Sequence, residues 1–248
     1  MCRMMGVVGA RESAQPLAAR FRLEASQGRV ARGASKGHAD GWGLVQTMPD
    51  GSLRHAGLSP LDAASDPQYP LAIAQLGQGA PRGVLLAHVR KATAGAKTLA
   101  NTHPFIEEGY AFCHNGTVEG YAPEGASDSR ALFASLLAEI RKGASEEDAI
   151  ATLARDVDAR FRYTSLTFLL TDGRSLWGLR RIGNDPNYCS PDACPQDYYT
   201  LGHATLPDGS VVVSQEHEVL GIAGWKGVPD GGIVTVNPDG EVRVRSAF

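Results

Sequence analysis

A chain of 248 residues, 43% hydrophobic and 21% charged, has the length and the apolar share for a buried core. Its net charge of −3 excludes a general nucleic-acid binder, which needs a basic surplus to meet phosphates. Four cysteines are too few for a disulfide-built fold, and no stretch approaches the roughly 20 apolar residues of a membrane helix, so a cytoplasmic, reduced protein without membrane partners is expected.

In chain order, residues 4–10 form a continuous apolar run ended by Arg11-Glu12, which predicts a buried strand starting just after Cys2. Residues 16–25 predict a short helix, with Pro16 early in it and Leu17 and Phe21 four apart. A loop rich in Gly, Ser and charge, residues 32–40, is a candidate lid. Residues 41–45 enter a second strand, turned at Pro49-Asp50-Gly51, and residues 67–76 predict a helix. Strong strands follow at 84–90 and 110–114.

Leu132, Phe133, Leu136, Leu137 and Ile140 then mark an amphipathic helix behind Ser127-Asp128-Ser129. A second helix starts at Ser145, where Ser145 and Asp148 suit a capping box, and buries Ile150, Leu153, Val157 and Phe161. Strands near 164–171, 175–181, 199–203, 211–214, 232–236 and 241–245 complete the chain, with hairpin turns at Asp172-Gly173, Asp208-Gly209 and Asp239-Gly240. Strands and helices come in blocks rather than in βαβ alternation, which predicts an α+β fold of mostly antiparallel sheets packed on helices.

Cys2 carries the clearest chemistry. Methionine aminopeptidase removes an initiator Met before a small residue, leaving a thiol and a free α-amine on one amino acid. A thiol needs a base to become a good nucleophile, and an α-amine titrating near about 7.7–8.0 is such a base at neutral pH. Three further segments read as polar ends of apolar strands or helix starts: residues 87–95, Cys113-His114-Asn115-Gly116, and Ser127-Asp128-Ser129. Taken singly, each has a structural explanation. Arg90 suits a strand end, Asn115-Gly116 a type I′ turn, and Asp128 a helix cap.

Together these residues resemble the class II glutamine amidotransferases, a branch of the N-terminal nucleophile hydrolases. That family's pattern runs through an N-terminal Cys, His-x-Arg-x-x-Thr, Asn-x-x-Pro-Phe, His-Asn-Gly and an Asp near Ser. Here it is met in order by Cys2, His88-Val89-Arg90-Lys91-Ala92-Thr93, Asn101-Thr102-His103-Pro104-Phe105, His114-Asn115-Gly116 and Asp128. Asp40-Gly41-Trp42-Gly43 resembles the stand-alone YafJ-type subgroup and its relatives in thiol metabolism.

The resemblance implies a four-layer αββα sandwich of two mostly antiparallel sheets, with residues 2–248 as one domain. It implies no cofactor and no catalytic metal, and the spacing of His88, His103 and His114 fits no common zinc pattern. It implies Cys2 as nucleophile, with Asn115 and Gly116 as oxyanion donors. Arg90 and Thr93 would take a substrate α-carboxylate, Asp128 its α-ammonium, and His114 would join the binding set. The substrate is then glutamine or a γ-glutamyl compound, and a synthase receiving ammonia is the partner such a subunit implies. The length predicts no attached synthase domain.

The alternatives are a γ-glutamyl hydrolase of a thiol or peptide metabolite, as in ergothioneine or glutathione pathways, and a catalytically inactive amino-acid-binding relative. Hydrolases of bile salts or penicillins would have no zwitterion for Arg90 and Asp128 to hold. Ala94 stands where many members carry a polar residue, which leaves carboxylate contacts there to the backbone. Trp42 and Cys113 read as core. Cys189 and Cys194 suit free thiols, a surface disulfide or a weak metal site.

Overall fold

A computed structural model describes residues 2–30, 37–92, 96–124, 126–183 and 198–248. Thr93, Ala94, Cys189, Cys194 and most of the segment 32–40 lie outside them.

The chain opens as strand β1 (Cys2–Ala10), followed by helices α1 (Arg11–Phe21) and α2 (Glu24–Gln27). Strands β2 (Trp42–Thr47) and β3 (Leu53–Ser59), helix α3 (Gln68–Gln75), and strands β4 (Arg82–Arg90), β5 (Phe105–Glu107) and β6 (Tyr110–Asn115) come next. Helices α4 (Asp128–Arg141) and α5 (Glu146–Arg160) form one block. Strands β7 (Thr167–Thr171), β8 (Leu176–Arg180), β9 (Gly202–Thr205), β10 (Val211–Ser214), β11 (Lys226–Gly227), β12 (Gly232–Val236) and β13 (Val242–Ser246) follow.

Two antiparallel sheets result. One has the order β11-β9-β10-β1-β4-β2-β3, the other β13-β12-β8-β7-β6-β5. Alternation along β1 shows how they stack. Met5 and Val7 join Leu17, Phe21, Trp42 and Tyr69 in a core between the first sheet and α1 and α3. Met4 and Val8 join Cys113, Leu169 and Val213 in a core between the sheets. A strand buried on both faces explains the unbroken apolar run. On the outer side of the second sheet, Phe112, Phe168 and Trp177 meet Leu132, Phe133 and Leu136 of α4 and Ile150, Leu153 and Val157 of α5. The layers are therefore α, β, β, α, as expected.

Several boundaries differ from expectation. Helix α1 starts at Arg11 rather than at residue 16 and holds Pro16 inside it. Pro16 is exposed, as is Glu12, whose carbonyl Pro16 leaves without a helical donor. Strands β3 and β5 were not expected. Strand β9 begins at Gly202 rather than at residue 199. Ser145 caps α5 by accepting the Asp148 N–H at 3.2 Å. The hairpin glycines Gly173, Gly209 and Gly240 adopt φ of 86°, 84° and 85°, the left-handed turn geometry that favours glycine.

Candidate active site

Register brings the polar strand ends together. In the β1/β4 ladder Cys2 lies opposite Arg90 and Met4 opposite His88, so Cys2 and Arg90 share the face that looks at the second sheet. On β6, Ala111 and Cys113 face the first sheet, and by the same alternation Asn115 at the strand's end faces Cys2. The contact is reciprocal. The Cys2 backbone N–H donates to Asn115 Oδ1 at 2.8 Å, and Asn115 Nδ2 donates to the Cys2 carbonyl at 2.8 Å and to Gln215 Oε1 at 3.1 Å. Asn115 is fully buried. Its amide seats the Cys2 backbone rather than opening onto the cavity described next.

A cavity of about 310 Å³ lies in front of Cys2. Arg90, His103, His114, Gly116, Asp128 and Ser129 are among its walls. Its size is at the small end of ligand cavities, roughly 300–1,000 Å³. Arg90 is 7% exposed and donates Nη1 to the Ala96 carbonyl at 3.1 Å. Asp128 opens α4, where it accepts the Val118 N–H on Oδ2 at 2.9 Å and the Ser129 N–H on Oδ1 at 2.8 Å. It thus ties the helix to the loop after β6, and with the Ser129 hydroxyl 3.4 Å from Oδ1 the carboxylate still has lone-pair capacity beyond these contacts among the described residues. Gly116 lies against the Ser165 carbonyl so closely that an added Cβ would overlap it, and among the described residues no acceptor takes the Gly116 N–H. Thr93 lies outside the described residues.

The three histidines are held by protein groups. His114 Nε2 lies 3.2 Å from the Ser165 carbonyl and so carries the hydrogen, while Nδ1 receives the Ser129 hydroxyl at 3.0 Å. His103 Nδ1 accepts the His114 backbone N–H at 3.4 Å, so the contact with His88 Nε2 at 3.2 Å requires His88 to donate. Burial pushes all three down; the Arg90 charge adds to this at His88, which falls to about 3. At His114 burial outweighs the opposing pull of Asp128. All three are neutral at pH 7. Among the described residues no group of three or more His, Cys, Asp or Glu side chains suits a metal ion. Trp42 is core, with Nε1 donating to Asp66 Oδ2 at 3.0 Å, and burial pushes the Cys113 thiol up.

Sequence reasoning missed the residues behind Cys2. Arg3, 1% exposed, ion-pairs with Glu216 and donates Nη1 to the Cys2 carbonyl at 2.9 Å. The available signal was a lone arginine inside an otherwise apolar strand, which must find a partner when buried.

Comparison with known proteins places this geometry in a family. The family profile described as class II glutamine amidotransferases matches residues 1–184. The putative glutamine amidotransferase YafJ of Escherichia coli is 34% identical over 125 residues, covering 44% of this chain and 46% of that protein. A putative glutamine amidotransferase of Haemophilus influenzae is 26% identical over 211 residues, covering 76% of this chain and 65% of that protein. The chain therefore spans less than two thirds of either relative. A class II glutamine aminotransferase domain protein from Silicibacter pomeroyi shares the fold, with a TM-score of 0.61 at 17% identity over 99% of both chains. With a profile match over well more than half its length, the chain belongs to the class II glutamine amidotransferases and carries their α+β sandwich.

Proposed function

We propose that the protein is an amidohydrolase that cleaves the γ-glutamyl amide of glutamine, or of a γ-glutamyl compound, through a thioester on Cys2. The observation that carries this reading is the placing of Cys2 at a small cavity whose walls hold both Arg90 and Asp128. A guanidinium and a carboxylate in one cavity suit the α-carboxylate and α-ammonium of an amino acid.

Removal of Met1 turns the Cys2 nitrogen into an α-amine. Asn115 Oδ1, now 2.8 Å from that nitrogen, would still accept one of its hydrogens, leaving the lone pair for the thiol proton. Sγ attacks the amide carbon, and the amine passes the proton to departing ammonia or amine. Water then releases glutamate from the thioester. The Gly116 N–H is the backbone donor for the oxyanion. Asn115 joins it when Nδ2 gives up Gln215 Oε1, because both Nδ2 hydrogens are otherwise engaged. Residues 2–248 acting as one domain, and a separate synthase taking the ammonia, belong to the same proposal.

The test is hydrolysis of glutamine and a panel of γ-glutamyl amides by the protein and its Cys2→Ala variant, with labelling by a glutamine-like electrophile. Hydrolysis and labelling at Cys2 should both vanish in the variant. Unchanged hydrolysis would overturn the proposal. The rank order across the panel separates glutaminase from γ-glutamyl hydrolase.

A further inference from the structure

On the helix side of β1, opposite Cys2 in the alternation, lies a buried charge cluster that the proposed chemistry does not use. None of its members lines the cavity. Arg3 is its centre. Besides Glu216 and the Cys2 carbonyl, it donates Nη2 to the Arg29 carbonyl at 2.6 Å, and its guanidinium lies 4.1 Å from the Tyr198 ring centre. Glu216 also accepts the Arg29 N–H at 2.8 Å.

The next carboxyl is Glu24, which is 0% exposed. Among the described residues neither of its oxygens meets an N–H or O–H donor, and the carboxyl of Glu216 is the polar neighbour that faces it. Two carboxyl groups hydrogen-bond only if one carries a proton. The site is shaped around this acid: a side chain at Gly28 would come within 2.5 Å of Glu24 Oε2. The groups facing Glu24 are Arg3 from β1, Glu216 and Glu218 after β10, and His38 beside Gly28. Arg29 pairs with Glu218 at the surface, and His38 Nε2 lies 3.1 Å from the Arg29 carbonyl. Two buried carboxyls thus share one buried arginine.

We propose that Glu24 is a positioning residue for the nucleophile: as a carboxylic acid it donates its proton to Glu216, and through Glu216 and Arg3 it fixes the carbonyl of Cys2. Burial and the neighbouring Glu216 push the Glu24 carboxyl up to about 8, so the proton is present at neutral pH. Its loss sets two buried negative charges against each other, with Arg3 the one buried cation between them among the described residues, and the Arg3 grip on Cys2 loosens. The catalytic consequence rests on Cys2 being the nucleophile; the effect on the seat of Cys2 does not.

The experiment compares wild type, Glu24→Gln and Glu24→Ala from about pH 6 to about pH 10. Two rates are followed: alkylation of Cys2 by iodoacetamide, read by peptide mass, and hydrolysis of glutamine or whichever γ-glutamyl amide is turned over. Gln keeps a permanent donor toward Glu216. Glu24→Gln should therefore match wild type within about threefold near pH 6.5, and should lack the alkaline break expected of wild type near pH 8 in both rates. Glu24→Ala should be slower by roughly tenfold near pH 6.5. A break in the alkylation profile that disappears in Glu24→Gln supports the proposal even if no amide is cleaved; in that case only the assigned hydrolysis falls. Superimposable wild-type and Glu24→Gln profiles, or a Glu24→Gln protein that fails to fold, would overturn it.

Discussion

Asn115→Asp changes one NH2 into one oxygen and keeps the side chain's shape. In the wild type, Nδ2 donates to two carbonyl-type oxygens, of Cys2 and Gln215, at 2.8 and 3.1 Å, with no access to water. An aspartate there faces both with lone pairs. The Cys2 carbonyl keeps Arg3 Nη1, but Gln215 Oε1 is left without a donor, and a buried acceptor left unpaired costs about 1–3 kcal/mol. For a chain of this size roughly 2–4 °C accompanies each kcal/mol, so the midpoint of thermal unfolding should drop by on the order of 5 °C. The sign with pH is fixed too. Burial among acceptors raises the folded-state pKa of the new carboxyl above its unfolded value. The protonated form can restore one of the two bonds, so the deficit is smallest in acid and grows as pH rises through the folded pKa. Scanning calorimetry at several pH values measures both. A midpoint within about 2 °C of wild type at neutral pH, or a deficit that shrinks as pH rises, would refute the reasoning that Asn115 is a buried double donor.

The wild-type protein should itself lose stability as pH rises. The Glu24 carboxyl is raised to about 8 from 4.5, so its contribution is fully present below about 4.5 and is lost as pH rises through about 8. Denaturant unfolding should show a fall of at most about 1.4 kcal/mol per pH unit in that window, and Glu24→Gln should remove it. Arg90→Lys keeps the charge and loses the planar fork, so KM for a γ-glutamyl substrate should rise by roughly tenfold or more with little change in unfolding midpoint. Ser145→Ala removes the cap on α5, at a residue outside the cavity lining, and should cost about 1 kcal/mol while leaving kcat/KM unchanged.

The candidate site was legible in the sequence because several of its residues sit at strand ends, and strand ends are easy to read. Strands β1, β4 and β6 each carry a candidate residue at one end, and those residues are Cys2, Arg90 and Asn115. What the sequence did not carry is the register that makes them neighbours. The pairing of Cys2 with Arg90 across the β1/β4 ladder depends on which face each strand buries, and both strands are apolar on both faces. Strand β3 escaped for the opposite reason. It is an edge strand carrying Arg54 and His55, and the extra residue Ala56, opposite the step from Leu44 to Val45, breaks its own alternation. Strand β5, three residues long, is too short for any period to appear.

Glu24 marks the limit of reading by pattern. In Arg22-Leu23-Glu24 it looks like one more charge on a solvated helix end, and most glutamates in such a run are that. Its burial is decided by β1 and the chain after β10, which bring Arg3 and Glu216 from 21 residues before it and 192 after it. Pattern finds residues that act on the substrate, because their types are dictated by the chemistry. It does not find residues that act on the catalytic backbone through other side chains, because any buried acid with the right neighbours would serve. The same argument explains why Arg3 should have been the warning. A strand buried on both faces does not admit a guanidinium unless something beneath it has been built to receive the charge, and in this protein that something is a pair of carboxyls with room for one proton between them.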